Sequence, residues 1–175
     1  MKTIRCTVVL LAICLAVGAS AGALEKVTHG DVQYGAYWQV LLDVYQEFDD
    51  GYMSAEFLEY ALYDIDDNGV KELIVLAGTC EADYVRRIYT IIDNEVQYLG
   101  EIFGGHSMLF AAPEGGLYNM MGHMGCEEIY LVVYANQAFT EELLSSKELA
   151  EDEDYSTPGT PIQTAFITDD SLLHD

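Results

Sequence analysis

The sequence predicts an α+β fold, mostly an antiparallel β meander, with one N-terminal helix packed on the sheet. Between Tyr37 and Phe48, apolar residues recur at three- and four-residue steps, as on one face of an amphipathic helix. From Phe57 onward, short runs rich in branched and aromatic residues alternate with turn residues, as in consecutive hairpins. A mature chain of roughly 150 residues can bury one ordinary core.

Each predicted element is bounded by residues that favour turns. Gly51 follows the helix, Asp93-Asn94 separates two strands, and Pro113 to Gly116 separates two more. The predicted strands are 57–63, 72–77, 84–92, 96–103, 107–111, 117–121, 129–134 and 162–167. A short helix is predicted at 141–151, next to an acidic, Pro-broken loop near 150–161. We therefore expect one globular domain at 36–175, preceded by a lead-in at 22–35.

The first residues have the three parts of a secretory signal peptide. Lys2 and Arg5 provide a positive start, residues 6–17 are almost all apolar, and Ala19-Ser20-Ala21 fits a cleavage site. The apolar run is shorter than the ~20 residues that a membrane-spanning helix needs. Residues 1–21 are therefore predicted to be a signal peptide, with an uncleaved anchor as the alternative. We expect a secreted, periplasmic or cell-surface protein.

The charge balance excludes some classes of partner. The chain has 30 acidic residues against 7 Lys and Arg, for a formal net charge of −23. Binding to nucleic acid or to an anionic membrane surface needs clustered basic residues, so neither is expected. The excess of carboxylates favours solubility and attracts cations.

Two of the four cysteines remain after the predicted cleavage. Cys80 and Cys126 form an even pair in an exported chain, which permits a disulfide. The alternative is that both are free thiols.

The clearest chemical motif is the run from Asp64 to Glu72. Side-chain oxygens fall at its first, third, fifth and ninth positions, Gly69 stands at the sixth, and the seventh offers a backbone carbonyl. This alternation wraps a chain around a hard cation, and calcium prefers such oxygen ligands. The predicted calcium ligands are Asp64, Asp66, Asn68, the Val70 carbonyl and Glu72. The alternative is an acidic hairpin turn without an ion.

This loop does not fit an EF-hand, because Val75 occupies the twelfth position and strand-like residues flank the loop. Residues 60–76 resemble instead the β-hairpin calcium loops of FG-GAP and VCBS repeats, in which an Asp-rich loop runs into a Leu-Ile-Val strand. The order helix, Tyr-Ala-Leu-Tyr-Asp-Ile-Asp-Asp-Asn-Gly, Gly-His-Ser and Gly-His-Met-Gly resembles a family of uncharacterised exported bacterial proteins. That second resemblance implies no activity.

A second candidate site involves two Gly-His pairs. If His106 and His123 lie at neighbouring strand ends, their rings can meet, with Glu127 or Glu128 nearby. Two histidines and a carboxylate suit zinc or another transition metal. Alternatively, His123 could activate Cys126 or Ser107 as a nucleophile, or the histidines are ordinary turn or core residues.

Taken together, these motifs favour an exported calcium-binding domain that binds an unknown protein or carbohydrate ligand. Tyrosine is abundant, with 13 residues, and aromatic side chains on a sheet can bind such ligands. The alternative function is a small secreted hydrolase or transition-metal enzyme that uses His106, His123 and Cys126.

Overall fold

The computed structural model describes residues 34–49 and 54–174. The predicted signal peptide at 1–21 and most of the predicted lead-in lie outside the described residues. Helix α1 spans Tyr37–Phe48, as predicted, and a short 3-10 helix spans Ala55–Phe57. A second 3-10 helix, Ser171–His174, ends the described chain.

The strands form two five-stranded antiparallel sheets in the described part of the chain. Sheet 1 has the order β10-β1-β2-β3-β4, and sheet 2 has the order β8-β7-β6-β5-β9. The strands are β1 (Glu59–Tyr63), β2 (Glu72–Ala77), β3 (Val85–Ile92), β4 (Glu95–Phe103), β5 (Ser107–Ala111), β6 (Leu117–His123), β7 (Cys126–Ala135), β8 (Ala138–Glu148), β9 (Thr160–Pro161) and β10 (Thr164–Phe166).

Sheet 1 is the middle of three layers. One of its faces packs against α1, where Leu73 and Val75 belong to one apolar cluster with the helix residues Tyr37 and Leu41. Its other face packs against sheet 2 through a second cluster: Ala61, Ile65, Ile74, Ile88, Ile102, Leu109, Leu117 and Val132. Strand β2 is buried along its whole length because it lies at the centre of this arrangement.

The fold class is confirmed: the described chain is mostly antiparallel β with one helix packed on a sheet. Most hairpins of the predicted meander are present, but they divide between two sheets instead of forming one. The chain leaves sheet 1 after β4 and enters sheet 2 at β5. It returns through β9 and β10, which are edge strands of opposite sheets.

The predicted helix at 141–151 is wrong. Most of this segment belongs to β8, which pairs with β7 from Cys126↔Glu148 to Ala135↔Ala138. Its Glu, Leu and Lys residues favour a helix only weakly, and the long ladder with β7 overrides that preference.

The acidic segment after β8 is attached to sheet 2 by specific contacts. Lys147 lies 3.1 Å from a carboxylate oxygen of Glu153, and the backbone N–H of Ser156 donates to the buried Glu127 carboxylate. The ring of Tyr155 lies against the backbone of Gly122.

In the described part of the chain, none of the helices has the length and apolar character required to cross a bilayer.

Candidate metal centre

The acidic loop connects the first hairpin of sheet 1. Strands β1 and β2 pair from Tyr60↔Val75 to Tyr63↔Glu72, so residues 64–71 form the hairpin loop. Asp67 and Gly69 have positive φ angles of 55° and 86°. Asp tolerates this left-handed region better than most residues, and Gly adopts it without steric cost. The strand-like flanks predicted from the sequence are therefore present.

Asp64 organises the loop backbone. Its two carboxylate oxygens accept hydrogen bonds from the N–H groups of Asn68 (3.0 Å) and Gly69 (2.8 Å). The side-chain oxygen of Asn68 accepts a further bond from the Val70 N–H, at 2.7 Å. Each oxygen still has a lone pair available after one such bond. The loop is thus held in its turn by the same oxygens that could bind a cation.

Glu72 anchors the other side of the loop from inside the core. It is only 2% exposed, and its oxygens accept hydrogen bonds from the Ile65 N–H (2.8 Å) and the Thr90 hydroxyl (3.0 Å). Burial, together with the charges of Asp66 and Asp64, raises the pKa of Glu72 to about 7, although the two hydrogen bonds act to lower it. A buried carboxylate in this position is unfavourable until a positive charge joins it.

Three carboxylates converge at this point. One oxygen each from Asp64, Asp66 and Glu72 lies within 4.8 Å of the others, which is a cluster that could hold a metal ion. Asp66 is exposed, and no described residue donates a hydrogen bond to it. The one basic residue of the loop, Lys71, directs its ammonium group toward the Tyr34 ring instead, 5.9 Å from the ring centre. Within the described residues, none of the three carboxylates has a basic partner.

The loop also contacts sheet 2. The N–H of Gly116, in the turn between β5 and β6, donates to the Ile65 carbonyl at 3.0 Å. The Tyr63 hydroxyl donates to the Gly116 carbonyl at 3.2 Å. A cavity of about 360 Å³ lies beside these contacts, with Asp66, Asp67 and Glu114 among its lining residues. The cluster therefore lies where the two sheets meet.

The remaining predicted ligands lie in the same loop. Asn68 is exposed, and Val70 packs its side chain against the helix side of sheet 1. Only the carboxylates of Asp64, Asp66 and Glu72 are shown to lie close together. The ligand roles of Asn68 and the Val70 carbonyl stay predictions.

The two histidines of the second candidate site do meet. The rings of His106 and His123 stack with their centres 4.0 Å apart and their planes inclined by 21°. His106 precedes β5 and His123 ends β6, so the antiparallel pairing of these strands brings the two together. A carboxylate oxygen of Glu81 lies 2.8 Å from Nδ1 of His106.

The carboxylates expected beside these histidines lie elsewhere. Glu127 is buried, with one oxygen 3.6 Å from the Lys147 ammonium, and Glu128 accepts hydrogen bonds from Tyr130 and Ser146. Neither carboxylate forms an ion pair within 4.0 Å with a described histidine, since the described histidine pairs are His106 with Glu81 and His174 with Asp170. The proposed nucleophile Ser107 donates to the Gly104 carbonyl and accepts from Arg86.

The possible bridge between Cys80 and Cys126 is not formed in this structure, in which the alternative of two free thiols is present. Both cysteines are exposed and free. Cys80 belongs to a loop that the Asp83 carboxylate holds, accepting from the N–H groups of Thr79 and Cys80 at 2.8 Å each. Cys126 lies opposite His123 in the β6–β7 hairpin.

Two site residues were missed in the sequence. Thr90 supports Glu72 from β3, and the pairing Leu73↔Tyr89 places it beside Glu72 in the neighbouring strand. Glu81 follows β2, and the pairing Val85↔Phe103 brings its loop next to the turn that contains His106. The register of the predicted hairpins was the signal that could have identified both.

Comparisons with known proteins add no relative: no family model matches the chain, and neither a curated protein nor a solved structure matches it significantly.

Proposed function

We propose that this protein is an exported calcium-binding domain that binds a partner and does not catalyse a reaction. The observation that supports calcium is the convergence of Asp64, Asp66 and Glu72 within 4.8 Å, in the loop that the sequence marks as calcium-like. Calcium prefers oxygen ligands in a variable geometry, whereas zinc favours nitrogen or sulfur and magnesium demands a tighter octahedron.

The ion would supply the positive charge that this cluster lacks. Asp64, Asp66, Asn68, Glu72 and the Val70 carbonyl would hold it, with water completing the shell. Because the cluster lies at the contact between the sheets, binding would stabilise the loop and its neighbouring turn. A binding surface for a protein or carbohydrate partner would then keep its shape only where calcium is available, as outside the cell.

Thermal unfolding of the purified mature protein tests this proposal. Extracellular calcium modules bind at roughly 0.1 to 1 mM. Binding to the folded state alone adds about 1.4 kcal/mol at ten times Kd. Millimolar calcium should therefore raise the melting temperature by several degrees, a chelator should reverse the rise, and magnesium should have a much smaller effect. No calcium-dependent shift would contradict the proposal.

Export has its own test. The mature chain should begin near Gly22, which intact mass or N-terminal sequencing measures directly. An unprocessed chain recovered from the cytosol would contradict export without bearing on calcium.

The stacked histidines support a second candidate function, binding of a transition metal at His106 and His123. Glu81 would accept from Nδ1 of His106 and leave Nε2 free as a ligand, an arrangement common around metal-bound histidines. The separation of 4.0 Å between the ring centres supports this candidate, since both imidazoles would bind one ion if their rings turned out of the stack.

Zinc titration of the chain with the calcium site saturated tests this second function. His106→Ala and His123→Ala should each remove tight zinc binding while calcium binding persists. His174→Ala is the matched control, because His174 lies near the C-terminus and pairs with Asp170. Equal zinc affinity in all three variants would contradict the site.

A further inference from the structure

A cavity of about 520 Å³ opens between the two sheets, away from the acidic loop. Sheet 1 contributes Arg86 from β3, and sheet 2 contributes Ser107 to Phe110 from β5. The segment 155–157 forms a third wall. This volume falls in the range of pockets that bind small organic molecules.

Arg86 is a buried positive charge on the wall of this cavity. It is 6% exposed, and it makes two hydrogen bonds, from Nε to the Ser107 hydroxyl (3.3 Å) and from Nη2 to the Ser107 carbonyl (2.7 Å). A guanidinium has five N–H donors, so three remain without an acceptor among the described residues. None of the described carboxylates lies within 4.0 Å of it.

Such an arrangement is unfavourable for the empty protein. Buried charges are ordinarily paired, because a guanidinium removed from water without an anion loses hydration that two neutral acceptors do not replace. Burial lowers the pKa of Arg86 to about 10, partly offset by the charge of Glu59. The group is therefore still positive at neutral pH, which points to an anionic group that enters from the cavity.

Glu59 determines what kind of ligand fits. It lines the same cavity from β1. The registers of β1, β2 and β3 place it two strands from Arg86, with Leu76 between them, which is roughly 10 Å across the sheet. A simple anion would meet this carboxylate and the strongly negative protein around it. A zwitterion has no net charge, and it can offer a carboxylate to Arg86 and an ammonium group to Glu59.

The other walls suit the rest of such a molecule. Both apolar and hydroxyl-bearing residues line the cavity: Leu109, Phe110, Pro161 and Ile162, and Ser156, Thr157 and Thr164. The segment that carries Ser156 is fixed by the bond from its N–H to Glu127 and by the packing of Tyr155 on Gly122. The pocket is therefore formed before a ligand arrives.

We infer that this cavity binds a small zwitterion of the amino-acid or short-peptide class, with its carboxylate on Arg86 and its ammonium group toward Glu59. The apolar side chain of the ligand would lie against Leu109 and Phe110. This site is independent of the calcium site, because the two share no lining residue or ligand.

Calorimetric titration of the full mature chain tests the inference with matched probes. Leucine, phenylalanine and alanyl-leucine carry both charges, 4-methylpentanoate lacks the ammonium group of leucine, and isoamylamine lacks its carboxylate. At least one zwitterion should bind with a 1:1 stoichiometry, and 4-methylpentanoate and isoamylamine should each bind at least tenfold more weakly than leucine. If the acid binds as tightly as the zwitterion, or if no probe binds, the inference is wrong.

Two variants test which protein residue binds each charged group of the ligand. Arg86→Gln should lose the zwitterion, and Glu59→Gln should weaken it while strengthening 4-methylpentanoate, which reverses the preference. Glu56→Gln is the matched control, since Glu56 is exposed and does not line the cavity. If Arg86→Gln fails to fold, the reversal in Glu59→Gln still decides the question, and an unchanged preference in that variant overturns the inference.

Discussion

Glu72 and Glu127 are two buried carboxylates, one in each sheet, with 2% and 1% of their surfaces exposed. Glu127 has the Lys147 ammonium group 3.6 Å away and the Ser156 N–H as a donor. Burial raises its pKa, but these partners outweigh burial and hold the pKa below its ordinary value. Glu72 has two hydrogen bonds and two acidic neighbours, and its pKa rises to about 7.

The difference between the two pKa values follows from whether the protein supplies a basic partner for the carboxylate. Sheet 2 supplies a lysine from its own strand β8, so the carboxylate of Glu127 is part of the folded architecture. Sheet 1 supplies no basic side chain near Glu72 in the described part of the chain. When Glu72 is ionised, a positive partner for it would come from solution, and a cation at the loop is the proposed one.

The largest expected effect follows from replacing Glu72. Its folded pKa is above the unfolded value, so the folded apo protein loses stability as pH rises from about 4.5 to about 7, by about 3 kcal/mol in all, and the loss is complete at higher pH. Glu72→Gln keeps an acceptor for the Ile65 N–H, and its amide N–H can donate to Thr90 Oγ1 once that hydroxyl rotates, because in wild type Thr90 is the donor. In chelator at pH 8, urea unfolding should therefore show the variant to be at least as stable as wild type, with a much weaker calcium response.

If Glu72→Gln is clearly less stable than wild type in chelator at pH 8 and still responds normally to calcium, the proposed difference between Glu72 and Glu127 is wrong.

The next effect concerns Glu127. Glu127→Ala leaves the Ser156 N–H without its acceptor and Lys147 without this partner, which should cost about 1–3 kcal/mol of unfolding free energy. The pKa of Glu127 is depressed, so its ionised form stabilises the folded protein above pH 4.5, and this contribution is lost as pH falls. The unfolding free energy of the variant should therefore decrease less than that of wild type when the pH is lowered. Its calcium affinity should match wild type; a parallel loss would contradict the separation of the two sites.

Calcium affinity should depend on pH through Glu72. The ion requires the ionised carboxylate, and a group with a pKa of about 7 is mostly protonated at pH 6 and mostly ionised at pH 8. Titrations at these two pH values should differ by about tenfold, with tighter binding at pH 8, as expected for a group that must lose its proton first. An affinity that is flat over this range would mean that Glu72 is not a ligand.

The smallest effect is expected for a carboxylate at the surface. Glu47 of α1 accepts two hydrogen bonds from Arg87 of β3, at 2.6 and 2.8 Å, and roughly half of its side chain is exposed. Glu47→Gln should cost no more than about 1 kcal/mol, and less at high salt, because exposed ion pairs contribute little. A cost as large as that of Glu127→Ala would show that burial does not set the scale of these interactions.

Several features of the fold could be read from the sequence because local signals agreed with the tertiary structure. Helix α1 and strand β2 have the predicted bounds, since the helix has one apolar face and β2 is apolar throughout. The division into two sheets was not predicted, because antiparallel hairpins look alike whether they continue one sheet or begin another. Strand β8 was missed because it is exposed on most positions and shows no alternation.

The candidate site was only partly predictable. The spacing of oxygen-bearing residues from Asp64 to Glu72 identified the carboxylates of the site. Three of the predicted ligands, Asp64, Asp66 and Glu72, do lie close together. The burial of Glu72 and its bond from Thr90 depend on strand β3, eighteen residues away. The sequence allowed His106 and His123 to meet if they lay at neighbouring strand ends, which they do, but it did not indicate Glu81 as the partner of His106, because Glu81 comes from a loop of the other sheet.

Calorimetric calcium titration of wild type, Asp66→Asn and Asp67→Asn at pH 8 tests the central claim most directly. The two variants remove one charge each from adjacent exposed residues of the same loop, but only Asp66 belongs to the cluster. We predict one calcium per chain in wild type and in Asp67→Asn, and at least tenfold weaker binding in Asp66→Asn. No binding to wild type in the millimolar range, or equal losses in both variants, would contradict a calcium site built by this loop.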